Sequence, residues 1–324
     1  MAFTMHSHSG QFCAHAVDQL EDVIRRAVAL GFRTIGLTEH MPRTHAADLY
    51  PEELAGSGHD PAAALATLQS HFAAYLREAV RLRDAYADRI TVLVGFESEW
   101  IRGAADDGAR VQALAAHPAV DYFVGSLHHV GARGTPIDYD KGMYAEAMKL
   151  AAAALTPASV PQRNLQCVAD YGGWLECNTA ALRKGLAEPY PGRSIAAAWL
   201  QLGGKFTLGD DSHGVAHVAT HYRQGLAYLA SLGVTEVWTL GRRRRRREKE
   251  EEEKEEEGSG EAGDSELVEV SVPLAEFAAS LRLEEDENKE MSTTVTTTAT
   301  TTTTTTPIPT NIDRKEDIAT IDAA

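Results

Sequence analysis

The first forty residues, MAFTMHSHSGQFCAHAVDQLEDVIRRAVALGFRTIGLTEH, define a structural unit that recurs along the chain. Residues 2–7 have the short apolar pattern of a strand. Residues 18–30 space their apolar side chains along one helical face, and Gly31 follows where a helix would end. Residues 34–38 form a second apolar strand. This strand–helix–strand order predicts an α/β fold with parallel strands.

The same alternation continues to residue 240. Between the second and third strands, residues 61–86 have the pattern of one or two amphipathic helices. Further apolar strands are predicted at residues 91–96, 122–126, 174–178 and 206–209. Six strands are therefore predicted in all.

Composition divides the chain into a folded part and a charged end. Residues 1–240 carry a net charge of −6 and are predicted to form one domain. Residues 241–266 begin GRRRRRREKEEEEKEEE and are predicted to be a solvated linker, because they have too few apolar side chains to fold. A strand-then-helix pattern returns at residues 267–283, and the Thr-rich residues 284–324 are predicted to be disordered.

Several classes of protein are disfavoured by the composition. Three scattered cysteines, Cys13, Cys167 and Cys177, do not make a disulfide framework or a zinc ribbon, and we interpret them as buried small side chains. No signal peptide or membrane-length apolar run is evident, so a soluble, cytoplasmic protein is expected. The acidic balance of the domain argues against a nucleic-acid partner. The sequence gives no indication of oligomeric state.

Histidine and carboxylate side chains follow nearly every predicted strand. Parallel α/β folds place their sites at the carboxyl ends of strands, so these side chains are expected to meet. Any one of them alone could be an ordinary core or surface polar residue. The set comprises His6, His8 and His15, then His40, Glu97, His128, His129, Asp210, Asp211 and His213.

Mixed imidazole and carboxylate ligands suit zinc, iron or manganese. Two or three such ions joined by a bridging carboxylate are typical of phosphoester hydrolysis, because they activate water and neutralise phosphate oxygens. No GxSxG motif, Walker loop or GxGxxG motif offers a competing chemistry. A metal-dependent hydrolase is therefore indicated.

The strings HSHS, TEH, GFE, GSLHH and GDDSH, in this order, resemble the motifs of the polymerase-and-histidinol-phosphatase (PHP) superfamily. The strings LTEHMPR, YGGWLECNTAALRKGLAEPYP and DDSHGVAHVATHY are similar to its histidinol-phosphatase branch. The resemblance covers residues 1–240. It implies a distorted (β/α)7 barrel with up to three divalent metal ions. It also implies hydrolysis of a small phosphomonoester, L-histidinol phosphate, by a metal-bound hydroxide, in histidine biosynthesis.

The resemblance also implies roles for the residues at the strand ends. One ion would be bound by His6, His8, Glu97 and Asp211. Glu97 would bridge to a second ion bound by His128, and His15, His40 and His213 would bind a third.

Four further assignments concern substrate and catalysis. Arg43 and Arg183 are predicted to clamp phosphate, because guanidinium matches phosphate with paired hydrogen bonds. Each could instead be an ordinary surface arginine. His129 is predicted to protonate the leaving alkoxide or to contact substrate, with support of His128 as the alternative. Asp211 is assigned to catalysis as well as to metal binding.

One part of the family pattern is absent. The family has a further strand ending in a Gly-His motif before YGGWLECN, but no histidine lies between His129 and His213 here. A shortened protein and a faulty gene model both remain open. We expect fewer than three ions and poor hydrolysis. Two alternative functions also remain: a PHP phosphoesterase or nuclease of other specificity, and a non-catalytic metal-binding remnant.

Overall fold

The protein, in a computed structural model, is described at residues 1–130, 134–137, 142–143, 145–147, 149, 160–244 and 265–282. The predicted α/β fold with parallel strands is confirmed. Six strands run parallel: β1 (Ala2–Thr4), β2 (Phe32–Leu37), β3 (Thr91–Ser98), β4 (Tyr122–Gly125), β7 (Trp174–Asn178) and β8 (Lys205–Gly209). Between them lies a short antiparallel pair, β5 (His129–Val130) and β6 (Thr135–Pro136).

The parallel strands form a curled sheet in the order β4-β3-β2-β1-β8-β7. Strands β1 to β4 pair in sequence order, and β7 pairs with β8. Backbone hydrogen bonds join the two sets, from Met5 N to Leu208 O (3.1 Å) and from His8 N to Ser212 O (2.7 Å). Within the described ranges, no strand pairs with the outer edge of β4, and the outer edge of β7 has one isolated antiparallel bridge, from Asn178 to Tyr190.

Helices cover the sheet with their apolar faces. The first, α1, buries Leu20, Val23, Ile24 and Ala27, and the chain then reverses at Gly31, whose φ is 83°. Residues 61–86, predicted as one or two helices, form one helix that begins after the Asp60 cap. The helices are α1 (Leu20–Ala29), α2 (Pro51–Gly56), α3 (Pro61–Ala85), α4 (Ala109–Ala115), α5 (Val160–Asp170), α6 (Ala180–Arg183), α7 (Arg193–Gln201), α8 (Tyr222–Ser231) and α9 (Leu274–Ser280). In the part of the chain that the structure describes, none is long and apolar enough to cross a membrane.

A C-terminal hairpin completes the fold. Strand β9 (Glu236–Arg244) pairs antiparallel with β10 (Ser265–Pro273), which leads directly into α9. β9 is not among the predicted strands, and it extends into the first four residues of the predicted linker. Residues 245–264 of that linker and the tail from residue 283 onward lie outside the described residues.

The hairpin and α9 pack into the hydrophobic core. Phe277 of α9 is fully buried, and its ring centroid lies 5.0 Å from that of Phe3 and 5.9 Å from that of Tyr222.

The burial of the cysteines is only partly as predicted. Cys13 and Cys177 are buried, whereas Cys167 is exposed, so its predicted burial is wrong. It lies on the solvent side of α5.

Candidate metal centre

The innermost group of polar side chains lies where β1, β3 and β8 end. His6 and His8 alternate with Ser7, so both imidazoles point to the same side of the chain. Their Nε2 atoms are 3.1 Å apart. The Glu97 carboxylate lies 3.4 Å from His6 Nε2 and 3.3 Å from His8 Nε2. Asp211 Oδ1 lies 3.6 Å and 3.4 Å from the same two nitrogens. His6, His8 and Glu97 thus bring donor atoms within 4.8 Å of one another, and Asp211 forms a second such set with His8 and His213.

A second group shares the Glu97 carboxylate. His128 Nε2 lies 3.2 Å from Glu97 Oε1, and His40 Nδ1 lies 2.9 Å from Glu97 Oε2. Glu97 is 3% exposed and is surrounded by four imidazoles. The structure therefore adds His40 to the pair that was predicted for this position.

A third group lies toward solvent and includes a residue that sequence reasoning missed. His40 Nε2 lies 3.3 Å from His15 Nε2, and the His213 ring packs against His15 with centroids 4.9 Å apart. Cys13 Sγ lies 3.3 Å from His15 Nε2. The donor atoms of all four side chains lie within 4.8 Å of one another. The sequence signal that could have identified Cys13 is its CxH spacing from His15.

Two carboxylates, the partly buried Glu176 and the buried Glu39, orient the histidines of the innermost group. Both carboxylate oxygens of Glu176, in the middle of β7, lie 3.1 Å from His6 Nδ1. Glu39 accepts hydrogen bonds from Ser9 N (2.8 Å) and Ser9 Oγ (2.7 Å) and lies 3.7 Å from His8 Nδ1. Such partners fix which ring nitrogen is available to an ion. Sequence reasoning did not assign Glu176.

Glu99 organises the side of the site near Arg43. It lies two residues after Glu97, and its carboxylate is within 3.2 Å of His128 Nδ1 and 3.4 Å of His129 Nδ1. Arg43 is 3% exposed and donates to Glu99 (3.2 Å) and Glu53 (2.6 Å). The guanidinium is buried against two carboxylates, so the alternative of an ordinary surface arginine is wrong, and the phosphate role of Arg43 stays a prediction. The period-two spacing from Glu97 was the signal for Glu99.

His129 is also buried against this cluster. Its ring is 5% exposed and stacks on Tyr50, with centroids 5.8 Å apart. Glu99 contacts both His129 and His128. This shared contact is consistent with the alternative role, in which His129 supports His128. Proton donation to a leaving group stays a prediction.

Arg183 holds the loop that carries Asp211. Its guanidinium donates to the carbonyl oxygens of Asp210 and Asp211, both at 2.9 Å. Asp211 has a φ of 48°, in the left-handed region that non-glycine residues adopt at a cost. The Asp210 carboxylate accepts from Ser212 N and Ala219 N instead of facing the other groups. The phosphate role of Arg183 stays a prediction.

The cluster is held together by charges of opposite sign. Burial opposes protonation of His6 and His8, but neighbouring carboxylates outweigh it and raise the pKa of both imidazoles well above the usual value. Burial alone would raise the pKa of Glu97, but the surrounding imidazoles lower it well below the usual value. His40 is the opposite case, since burial and His8 lower its pKa to about 4.

These residues fit divalent cations. A tetrahedral ion with bonds of about 2.0–2.1 Å to nitrogen holds two nitrogen ligands about 3.3 Å apart. The nitrogen pairs His6–His8 and His15–His40 lie at 3.1 Å and 3.3 Å. Binding of cations to these ligands would release the protons that the free ligands carry.

Imidazoles and carboxylates gathered at the carboxyl ends of parallel strands define the class of metal-dependent α/β hydrolases. The family model described as "PHP domain" matches residues 4–159. The chain is 33% identical over 282 residues to a probable histidinol-phosphatase of Schizosaccharomyces pombe, covering 73% of this chain and 89% of that protein. It is 30% identical over 296 residues to histidinol-phosphatase of Saccharomyces cerevisiae, covering 70% and 88%.

Solved structures share the fold. A putative histidinol phosphatase of Listeria monocytogenes aligns with a TM-score of 0.55 at 21% identity, covering 68% of this chain and 99% of that one. Histidinol phosphate phosphatase of Lactococcus lactis, solved with zinc, L-histidinol and phosphate, aligns with a TM-score of 0.52 at 17% identity, covering 74% and 96%. The chain belongs to the PHP family, in its histidinol-phosphatase branch.

Proposed function

We propose that this protein hydrolyses L-histidinol phosphate to L-histidinol and phosphate. The observation that carries the proposal is the cluster of His6, His8 and Glu97, with Asp211 within 3.6 Å of both imidazoles, in a chain that covers most of two histidinol-phosphatases. The Lactococcus relative of the same fold was solved with zinc and both products. The small-molecule phosphomonoester is therefore the substrate class.

The ligand assignments follow the three groups. His6, His8, Glu97 and Asp211 would hold one ion. Glu97 would extend to a second with His128, and His15, His40 and His213 would hold a third, with the other ring nitrogen of His40 2.9 Å from Glu97. Divalent ions in such sites neutralise phosphate oxygens and lower the pKa of water.

Other side chains position these ligands. Glu176 holds the His6 ring so that Nε2 faces the cluster. Arg43 donates to Glu99, whose carboxylate lies between His128 and His129. Arg183 holds the Asp211 backbone, and its position next to the cluster also suits a phosphate oxygen.

We also propose that the barrel lacks one strand unit and that this weakens the second ion. Support comes from the outer edges of β4 and β7, which pair with no described strand, and from the missing Gly-His motif. With one ligand lost, we expect fewer than three tightly bound ions per chain. Elemental analysis of the purified protein measures this directly, and three tightly held ions would contradict it.

The activity is tested by phosphate release from L-histidinol phosphate with zinc, manganese or iron. His8→Ala and Asp211→Ala should abolish release, since each removes a ligand of the innermost group. His117→Ala is the matched control, because His117 is exposed and remote from the cluster. Release that survives both ligand substitutions contradicts the proposal. Faster cleavage of single-stranded DNA than of histidinol phosphate would favour a nuclease instead.

A further inference from the structure

The third group of donor atoms, called the outer group below, consists of Cys13, His15, His40 and His213. It therefore contains a thiol in addition to three imidazoles. Cys13 lies in the turn between His8 and His15, where its amide donates to Ser9 O (2.9 Å). Its side chain is 7% exposed. Its Sγ atom lies 3.3 Å from the Nε2 atom of His15.

The geometry of this group matches a four-coordinate site. With bonds of about 2.3 Å to sulfur and about 2.0–2.1 Å to nitrogen, a tetrahedral ion separates sulfur from nitrogen by about 3.6 Å and two nitrogens by about 3.3 Å. The observed separations are 3.3 Å for Cys13–His15 and 3.3 Å for His15–His40. His213 supplies the fourth donor within 4.8 Å of the others.

We infer that Cys13 is the fourth protein ligand of the outer metal ion, which is then held by one thiolate and three imidazoles. The inference rests on the proposed metal centre. On binding, the S–H bond breaks, the sulfur keeps the electron pair and bonds to the ion, and the proton leaves to solvent. A thiolate ligand favours zinc and cobalt over manganese or magnesium at this position.

The test uses the full-length protein, stripped of metal and then saturated with Co²⁺. A thiolate bound to Co²⁺ gives a near-ultraviolet charge-transfer band that imidazole and carboxylate ligands do not give. We expect this band in the wild type and in Cys167→Ser, the matched control, whose thiol is exposed on α5. The band should be lost in Cys13→Ser and Cys13→Ala, while the visible cobalt bands of the other sites remain. Absence of the band in cobalt-loaded wild type, or its persistence in Cys13→Ala, overturns the inference.

A second measurement uses only the wild-type protein, so it does not require any variant to fold. Alkylation of wild-type Cys13, located by mass spectrometry, should be slower by at least about tenfold in zinc-loaded protein than in metal-free protein. Cys167 should react at the same rate in both, as an internal control. Equal rates at Cys13 overturn the inference. Hydrolysis of histidinol phosphate without a thiolate band defeats only this inference, whereas the band without hydrolysis defeats only the proposed function.

Discussion

Glu176 and His6 lie 170 residues apart in sequence, yet the carboxylate contacts His6 Nδ1 at 3.1 Å. Glu176→Gln keeps the shape but removes the charge that holds the ring and makes Nε2 a better ligand. We expect zinc affinity to fall by about 10-fold, within the range typical of outer-shell partners. Competition with a fluorescent chelator measures this. Asp170→Asn, which removes an exposed carboxylate remote from the site, should change nothing, and an equal loss there would contradict the assigned role.

Gly36 is required by close packing inside β2. A Cβ at this position would lie 1.9 Å from the Tyr122 hydroxyl and 3.0 Å from Met5 O. Gly36→Ala should therefore lower the free energy of unfolding by about 1–3 kcal/mol, as overpacking does. Urea denaturation of the single variants and of Gly36→Ala with Tyr122→Phe forms a double-mutant cycle. Because the second change removes the clashing oxygen, the effects should not add, and simple additivity would contradict the explanation.

The ionisation of Tyr228 should make the free energy of unfolding depend on pH in the alkaline range. Burial and the nearby Glu188 raise its pKa to about 12, and its hydroxyl donates to Pro191 O (2.8 Å). The unfolded chain loses this proton near pH ~10, so the stability that the group provides is complete below that pH and is lost as pH rises toward its folded pKa. Tyr228→Phe should make the decline of unfolding free energy over this interval shallower. Urea denaturation at successive pH values tests it, and an unchanged slope would contradict the prediction.

At the scale of elements, α9 joins the C-terminal hairpin to the first strand. Phe277 fills the space between Phe3 and Tyr222 and is fully buried. Phe277→Ala should destabilise the protein by about 3–5 kcal/mol, because the truncation leaves a cavity in the core. Phe123→Ala is the comparison, since Phe123 is 44% exposed and should cost much less. Thermal and urea denaturation measure both, and similar losses would mean that α9 is not part of the cooperative core.

For the whole molecule, bound ions should link strands that are distant in the chain. The cluster draws ligands from the ends of β1, β2, β3, β4 and β8, so ions that bind only the folded state stabilise it. Ions present at a hundredfold excess over their dissociation constant contribute about 2.7 kcal/mol. We expect a chelator to lower the melting temperature by about 5–10 °C. Asp211→Ala should show a smaller chelator effect, and an equal effect would place the responsible ions elsewhere.

The order and type of the parallel strands could be predicted because apolar periodicity is a local property. The same is true of most ligand-type residues, since they lie at or soon after the end of their own strand, as His40 lies three residues after β2 and Glu97 is the next-to-last residue of β3. Strand β9 escaped prediction because its last residues are arginines, which resemble the start of a charged linker. Its pairing with β10 across twenty intervening residues carries no local pattern.

The amino-acid order alone was therefore sufficient for the fold class, the family resemblance and the positions of eight candidate ligands. Tertiary structure decided which groups meet: Glu176 with His6, Arg43 with Glu99, and the Cys13 thiol with His15. The physical reason is that a local pattern sets the direction of a side chain relative to its own strand. The distance between side chains far apart in the chain depends on strand order, curvature and packing, which only the assembled sheet defines.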